Sequence, residues 1–218
     1  MRLNFKFLVG VFLIIQGVIY AQKNDSIASD FYIKKSFTLE VHYRQGIPVG
    51  DNFASNGLEG GSGGGMRLHM FPYRNFYAGA GFGWNNYSVV DRSLLGSYSE
   101  SDRFEGYLYV GYDYVINQKW NAGIDLSLGT ANFRNTQELI DGNGDFQERG
   151  ELYRLGLSIE YALNNSFGVY LSPNYTFMNM QFRDLAPQIA GQFENASFFD
   201  FTIGIRYTVR NKRYYENK

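Results

Sequence analysis

The chain has 218 residues, with 20 lysines and arginines against 21 acidic residues and no cysteine. This near-neutral charge offers no basic surface for nucleic acid, and a chain without cysteine has neither disulfides nor thiolate metal sites. Aromatic residues make up 18% of the chain and glycine contributes 25 residues, both high for an ordinary globular domain.

The first 21 residues differ from the rest of the chain. Arg2 and Lys6 precede an apolar run at residues 7–20, FLVGVFLIIQGVIY, which is followed by the small residue Ala21. This order is typical of a secretory signal peptide, and the run is shorter than the about 20 apolar residues of a transmembrane helix. We therefore expect a signal peptide at 1–21, Sec-type export and a short periplasmic segment at 22–35.

Apolar residues recur at every second position in eight segments of the remaining chain. This period of two predicts β-strands with two unlike faces. The connections alternate between tight turns and long polar loops, which indicates an antiparallel meander with an even number of strands. The predicted strands lie at residues 36–45, 57–71, 75–89, 102–115, 119–132, 150–163, 166–182 and 196–209.

The apolar face of these strands is predicted to meet lipid, and the polar face to line a barrel lumen. Lys119 is the only lysine between Lys35 and Lys212, whereas a sheet face in water normally carries several. Glycine is frequent on the polar face, where a narrow lumen leaves little room for side chains. Aromatic residues gather at both ends of the apolar face, as bilayer interfaces select. The predicted belts include Trp84, Trp120, Tyr112, Tyr153, Tyr161 and Tyr207.

Backbone groups in lipid must all be hydrogen-bonded, which forces a sheet of spanning strands to close. We therefore predict an all-β fold at 36–209, an eight-stranded antiparallel up-and-down transmembrane β-barrel. Four long loops are expected outside the cell, and a periplasmic tail at 210–218. Pro173 falls in the middle of a strand that has no free edge, so a bulge or a local break is expected there.

Twelve ionisable residues fall on the face that is predicted to line the lumen. Charges in a confined interior persist when they are paired, and arginine suits bidentate pairing with carboxylates. One interpretation is an ion-pair network that holds the barrel closed, and the other is a narrow gated ion path through rearranging pairs. The residues are Glu40, His42, Arg44, Arg67, His69, Glu105, Asp113, Asp125, Arg154, Glu160, Asp200 and Arg206.

His42 and His69 lie in the same phase of neighbouring predicted strands. Hydrogen-bonded polar packing is one interpretation of this pair. A metal site with Glu40 is the other.

An acidic stretch in one long loop resembles the start of a calcium loop, with Asp141, Asn143 and Asp145 at alternate positions. Phe146 replaces the glycine that such a loop requires, and Leu152 stands at the place of its bidentate glutamate. A flexible acidic tip and a weak calcium site are therefore both open. We expect no cofactor.

The chain from about Ser36 to Val209 resembles the small eight-stranded outer-membrane barrels of Gram-negative bacteria, of the OmpA and opacity-protein type. The resemblance rests on the signal peptide, the strand count, the alternating loops and the last strand, FFDFTIGIRYTV. It implies a place in the outer membrane and recognition of the aromatic final strand by the outer-membrane assembly machinery. The tail RNKRYYENK departs from chains that stop at a terminal aromatic residue.

The sequence favours a structural or interaction protein of the cell envelope, such as a membrane anchor, an adhesin or an accessory subunit of a larger complex. A narrow gated pore is the alternative, and a lipid-modifying enzyme is a third hypothesis. Such an enzyme needs a nucleophile or base close to lipid, with histidine beside serine. His42 and His69 have no serine close in sequence and are predicted to point inward, so we expect no enzymatic activity. The expected partners are outer-membrane lipid, the assembly machinery and a surface or envelope protein.

Overall fold

The chain folds into a closed β-sheet in the computed structural model, which describes residues 35–95, 98–137, 146–181 and 193–210. The strands follow one another around the barrel in chain order, and β8 returns to pair antiparallel with β1. The predicted eight-stranded up-and-down barrel is therefore confirmed. The strands are β1 Lys35–Val49, β2 Leu58–Tyr73, β3 Phe76–Val89, β4 Tyr98–Val115, β5 Trp120–Gln137, β6 Phe146–Ala162, β7 Phe167–Gln181 and β8 Asn195–Arg210.

Two short helices, α1 (Phe53–Gly57) and α2 (Arg92–Leu95), lie in connections between strands. Asn52 caps α1, because its Oδ1 accepts hydrogen bonds from the backbone N–H groups of Ala54 and Ser55, both at 3.1 Å. Helices this short show no 3.6-residue repeat, which is why the sequence pattern predicts none. Neither helix, among the described residues, is long and apolar enough to cross a membrane.

Tight turns join the strands at one end of the barrel, which we call the turn end, and the opposite end is the loop end. Asn117 Oδ1 accepts hydrogen bonds from the N–H groups of Lys119 and Trp120 at 2.9 and 3.0 Å. Asn164 Oδ1 makes the same pair of bonds in the β6–β7 turn, at 2.8 and 2.9 Å. Asparagine suits these places because its side chain takes the part of a backbone carbonyl.

Four strands run further toward the loop end than the sequence predicts. β1 ends at Val49, β4 begins at Tyr98, β5 ends at Gln137 and β6 begins at Phe146. The predicted limits at these four points were 45, 102, 132 and 150. On β5 and β6 the added residues break the pattern of an apolar outside and a polar inside, and their own pattern has a physical reason.

The two faces of the barrel wall exchange character near Tyr153 on β6. On the turn-end side of Tyr153, Leu155 and Leu157 are 45% and 51% exposed on the outside. On the loop-end side, Leu152 is buried inside and Glu151 is exposed outside. The outer apolar band therefore stops at Tyr153 on this strand.

The neighbouring strand β5 shows the same exchange. Leu126 and Leu128 are exposed on the outside, whereas Phe133, further toward the loop end, is buried inside. Asn132 and Arg134, on either side of Phe133, are exposed. On these two strands the outside beyond the apolar band is thus polar and apolar side chains enter the inside, as in a barrel in water.

A cluster of buried apolar side chains fills the lumen at the loop end; we call it the mouth cluster. Phe53 of α1 stacks on Phe193, with ring centroids 5.4 Å apart, and meets Phe133 edge-on at 6.0 Å. Helix α1 thereby places an aromatic ring over the lumen. The mouth cluster consists of Phe53, Leu58, Phe133, Leu152, Met178, Met180, Phe193 and Phe198.

Pairing between β6 and β7 is interrupted at Pro173. Gly156 pairs with Asn174 and Ile159 pairs with Leu171, with no partners between them and the same register on both sides. The expected local break is present, but it contains no bulge. The other edge of β7 is continuous, since Pro173 keeps its partner on β8.

Ser172 repairs the interruption. Proline has no backbone N–H, so the carbonyl of Leu157, which lies opposite Pro173, has no backbone donor. Ser172 Oγ donates a hydrogen bond to this carbonyl at 2.6 Å. A serine beside the proline therefore keeps the wall hydrogen-bonded where its outer surface is apolar.

Candidate functional site

The lumen is the place where the sequence predicts functional side chains. All twelve predicted residues point inward, and none is more than 8% exposed. They separate into two ion-pair networks at different heights, which we call the outer network, nearer the loop end, and the inner network.

The outer network consists of Arg44, Arg103, Glu105, Arg154 and Asp200. Glu105 Oε1 accepts hydrogen bonds from Arg44 Nη1 and Arg154 Nη2, both at 2.5 Å. Arg103 Nη2 donates to Asp200 Oδ1 at 2.8 Å. These bonds join β1, β4, β6 and β8 across the lumen.

The inner network consists of Lys35, Glu40, Arg67, Asp113, Asp125, Glu160 and Arg206, with His69 at its edge. Arg206 donates from Nε to Glu40 Oε1 and from Nη1 to Glu160 Oε2, both at 2.8 Å. Arg67 Nη2 donates to Asp125 Oδ2 at 2.9 Å. The guanidinium of Arg206 thus bridges Glu40 on β1 and Glu160 on β6.

Two members of these networks were missed by the sequence analysis. Arg103 is fully buried and lies two residues before Glu105. The alternation along β4 therefore already indicates that Arg103 faces the lumen. Lys35 has the opposite parity to Glu40 on β1, and it reaches the lumen because the β1–β8 register shifts between Lys35 and Phe37. No pattern of alternation could have found it.

The formal charges of the two networks match when these two residues are included. Six cations face six carboxylates, leaving the histidines aside. The cations are Lys35, Arg44, Arg67, Arg103, Arg154 and Arg206, and the carboxylates are Glu40, Glu105, Asp113, Asp125, Glu160 and Asp200. Tyrosine rings fill the space between them, with Arg67 4.0 Å above the Tyr109 ring and Arg154 4.6 Å above the Tyr107 ring.

Each histidine hydrogen-bonds a tyrosine. His42 Nδ1 lies 3.1 Å from the Tyr170 hydroxyl, and His69 Nδ1 lies 2.9 Å from the Tyr109 hydroxyl. No group of three potential metal ligands comes together in the described part of the chain. The candidate calcium ligands Asp141, Asn143 and Asp145 lie outside the described residues.

The predicted belt residues lie on the outside of the barrel, at its two ends. At the turn end, rings of neighbouring strands pair as Phe76–Tyr112 (4.8 Å between centroids), Trp120–Tyr161 (5.0 Å) and Phe167–Tyr207 (5.0 Å). At the loop end, Tyr153 lies 6.5 Å from Phe177. Trp84 lies across Gly64, where the missing side chain leaves room for the indole.

A closed barrel with an apolar outer band between two rings of aromatic residues has the architecture of a membrane-spanning β-barrel. No protein-family profile and no curated protein matches the chain. Among solved structures, Neisserial surface protein A has a TM-score of 0.57 at 10% identity, covering 79% of this chain and 97% of that one. Ail, the attachment invasion locus protein of Yersinia pestis, has a TM-score of 0.52 at 10% identity, covering 81% and 100%.

Both of these proteins are small eight-stranded outer-membrane barrels, and the present chain shares their fold. At this identity the likeness concerns the fold alone. It does not single out the OmpA and opacity type among such barrels.

Proposed function

We propose that the protein is an integral outer-membrane barrel with a closed lumen, acting as a structural or interaction protein of the cell envelope. The roles that fit are a membrane anchor, an adhesin or an accessory subunit of an envelope complex. The observation that carries the proposal is the filling of the lumen by two ion-pair networks beneath the mouth cluster. The barrel interior then stabilises the wall. The loops and the outer surface of the barrel remain as the surfaces available for function.

A closed lumen disfavours the pore alternative on energetic grounds. Removing one partner of a buried ion pair costs about 3–5 kcal/mol. An ion on its way through would have to separate pairs in both networks, and would then meet the apolar side chains of the mouth cluster. A gated path needs a second arrangement of these pairs with nearly equal energy.

The outside of the barrel supports a place in a lipid bilayer. The apolar band lies between aromatic belts, and the polar outer wall beyond it suits water at the membrane surface. Together with the signal-like N-terminal segment, this supports Sec-type export and insertion by the outer-membrane assembly machinery. Outer-membrane lipid is then a constant partner, and a surface or envelope protein would contact the loop end.

An enzymatic role in lipid modification has no support from the described residues. Both histidines lie inside the barrel and hydrogen-bond tyrosines, so neither reaches lipid. Neither therefore lies where a lipid substrate would need a catalytic base.

Conductance across a planar lipid bilayer tests the proposal. The wild-type protein is expected to give no discrete channel openings, and Arg154→Ala, which removes one arm of the outer network, is expected to create or enlarge leak events. Arg149→Ala removes an exposed arginine from the same strand and serves as the matched control. Regular openings of the wild-type protein whose size changes in Arg154→Ala would favour the gated pore.

A further inference from the structure

The charges of the two networks match when both are counted together, but they do not match within each network. The outer network has three arginines against two carboxylates, Glu105 and Asp200. The inner network has three cations against four carboxylates. No ion pair joins the two networks within the residues that the structure describes. The outer network therefore has one positive charge without a carboxylate of its own.

Unmatched hydrogen-bond donors lie in the same network. Arg44 Nε, Arg44 Nη2 and Arg103 Nη1 are buried without a hydrogen-bond partner, and so is the hydroxyl of Tyr87. Arg103 Nε and Glu105 Oε2 are also unpaired, but they lie 3.5 Å from each other and nearly satisfy one another. The outer network therefore has more unpaired donors than unpaired acceptors. This excess of donors agrees with the network's net positive charge.

The inner network shows the opposite excess. Arg67 Nε and Glu40 Oε2 lack hydrogen bonds but lie 3.5 Å apart. The atoms left over are Asp113 Oδ1 and His69 Nε2. Spare donors thus accompany the positive network, and a spare carboxylate oxygen accompanies the negative one.

Arg44 and Arg103 lie in one part of the lumen because both contact Glu105, and two glycines make room for the spare donors there. A Cβ on Gly83 of β3 would lie 2.7 Å from Arg44 Nη2, and a Cβ on Gly46 of β1 would collide with the Tyr87 hydroxyl. Asp200 Oδ1 would lie 2.9 Å from the same Cβ on Gly46, and it already accepts a hydrogen bond from Arg103 Nη2.

Asn85, between Gly83 and Tyr87 on β3, is committed at both ends of its amide. Its Oδ1 accepts from Arg103 Nη2 at 3.2 Å, and its Nδ2 donates to the Gly61 carbonyl at 3.1 Å. Asp200 Oδ1 and the Asn85 amide therefore have partners, whereas Arg44 Nε and Nη2, Arg103 Nη1 and the Tyr87 hydroxyl have none.

We propose that the outer network binds one small monovalent inorganic anion of halide size, held by Arg44, Arg103 and the Tyr87 hydroxyl. The anion accepts the spare hydrogen bonds and neutralises the charge that the two carboxylates leave over. A water molecule would satisfy the donors but leave the charge. Because the mouth cluster covers the site, the ion enters while the barrel folds and is retained afterwards.

The test compares the purified protein refolded from urea in sodium bromide and in sodium gluconate at equal ionic strength. We expect a rise in Tm of about 2–4 °C in bromide. Anomalous diffraction from crystals grown in bromide is expected to place one bromide ion between Arg44, Arg103 and Tyr87. Equal Tm values in the two salts, or water in place of bromide at the site, would overturn the proposal.

Variants separate this site from a general effect of the salt. Tyr87→Phe removes only the hydroxyl and is expected to reduce the bromide-dependent rise in Tm, and Arg44→Gln to abolish it. Tyr170→Phe removes a hydroxyl that contacts His42, on a ring that lies against Arg206 of the inner network, and is expected to keep the full rise. A rise that is the same in Tyr87→Phe, Tyr170→Phe and the wild type would assign the effect to the salt and contradict the proposal. If Arg44→Gln does not fold, Tyr87→Phe and the wild-type anomalous map decide.

Discussion

Ser172 and Pro173 form the clearest local repair in the barrel wall. Ser172→Ala is expected to lower the free energy of unfolding by about 1–3 kcal/mol, because the Leu157 carbonyl loses its donor in a wall with an apolar outer surface. Denaturant unfolding of the protein in detergent micelles measures the change. Ser158→Ala, on the neighbouring strand and also inside the lumen, serves as the matched control.

Pro173→Ala tests whether the serine acts through the missing N–H. An alanine at this place can donate its own N–H to Leu157, since the register is unbroken on both sides. In the Pro173→Ala background, Ser172→Ala should therefore cost less than half of what it costs in the wild type. The same cost in both backgrounds would mean that Ser172 stabilises the wall in some other way.

Parity along a strand was sufficient to place single residues inside or outside, and insufficient to find their partners. Arg103 obeys the parity of Glu105 and could have been predicted. Lys35 could not, because its orientation depends on a register shift against β8, at the other end of the chain.

At the scale of the strand, alternation predicted eight strands, and the ends toward the loops were predicted too short. The predicted strand limits follow the apolar residues of one face only. On β5 the apolar residues pass from the outside, at Leu128, to the inside, at Ala131 and Phe133. The strand continues unbroken through this exchange, because backbone pairing is indifferent to which face is apolar. A pattern in which the apolar residues change face once along a strand predicts the longer ends.

Spin labels along β5 and β6 test whether the exchange marks the edge of the bilayer. Labels at Leu126 and Leu157 are expected to be accessible to oxygen and shielded from a water-soluble paramagnetic reagent, since both side chains belong to the outer apolar band. Labels at Asn132 and Arg149 should show the reverse. Electron paramagnetic resonance of the protein in lipid vesicles gives both accessibilities. Water access at Leu126 would contradict the assignment of the band to lipid.

At the scale of the whole barrel, the two networks connect strands that are remote in the sequence. Arg206 and Glu40 are 166 residues apart in the chain and share a 2.8 Å hydrogen bond. Whether two lumen residues meet depends on the shear of the closed sheet, which fixes the height of each residue. Alternation shows which face of the wall a residue lies on, but it does not show the residue's height in the lumen. The sequence therefore predicted which charged residues line the lumen and could not divide them into two networks.

The separation of the networks makes a prediction about energetic coupling. Glu105→Gln and Asp200→Asn remove carboxylates that share Arg103 and Arg154, so their effects on the free energy of unfolding should be non-additive by about 0.5–3 kcal/mol. Glu105→Gln and Glu160→Gln lie in different networks and should add to within about 0.5 kcal/mol. Each single variant loses part of a buried pair, which costs up to about 3–5 kcal/mol.

Denaturant unfolding of the wild type, the two single variants and the double variant of each cycle supplies these energies, with exposed Glu151→Gln as the partner in a control cycle. Strong coupling between Glu105 and Glu160 would mean that the charges of the lumen respond as one system. The positive charge of the outer network would then be compensated by the inner one, and the case for an anion between Arg44, Arg103 and Tyr87 would lose its electrostatic part. Additivity between the two networks would mean that each network must neutralise its own charge. Under that condition a bound anion stabilises the barrel.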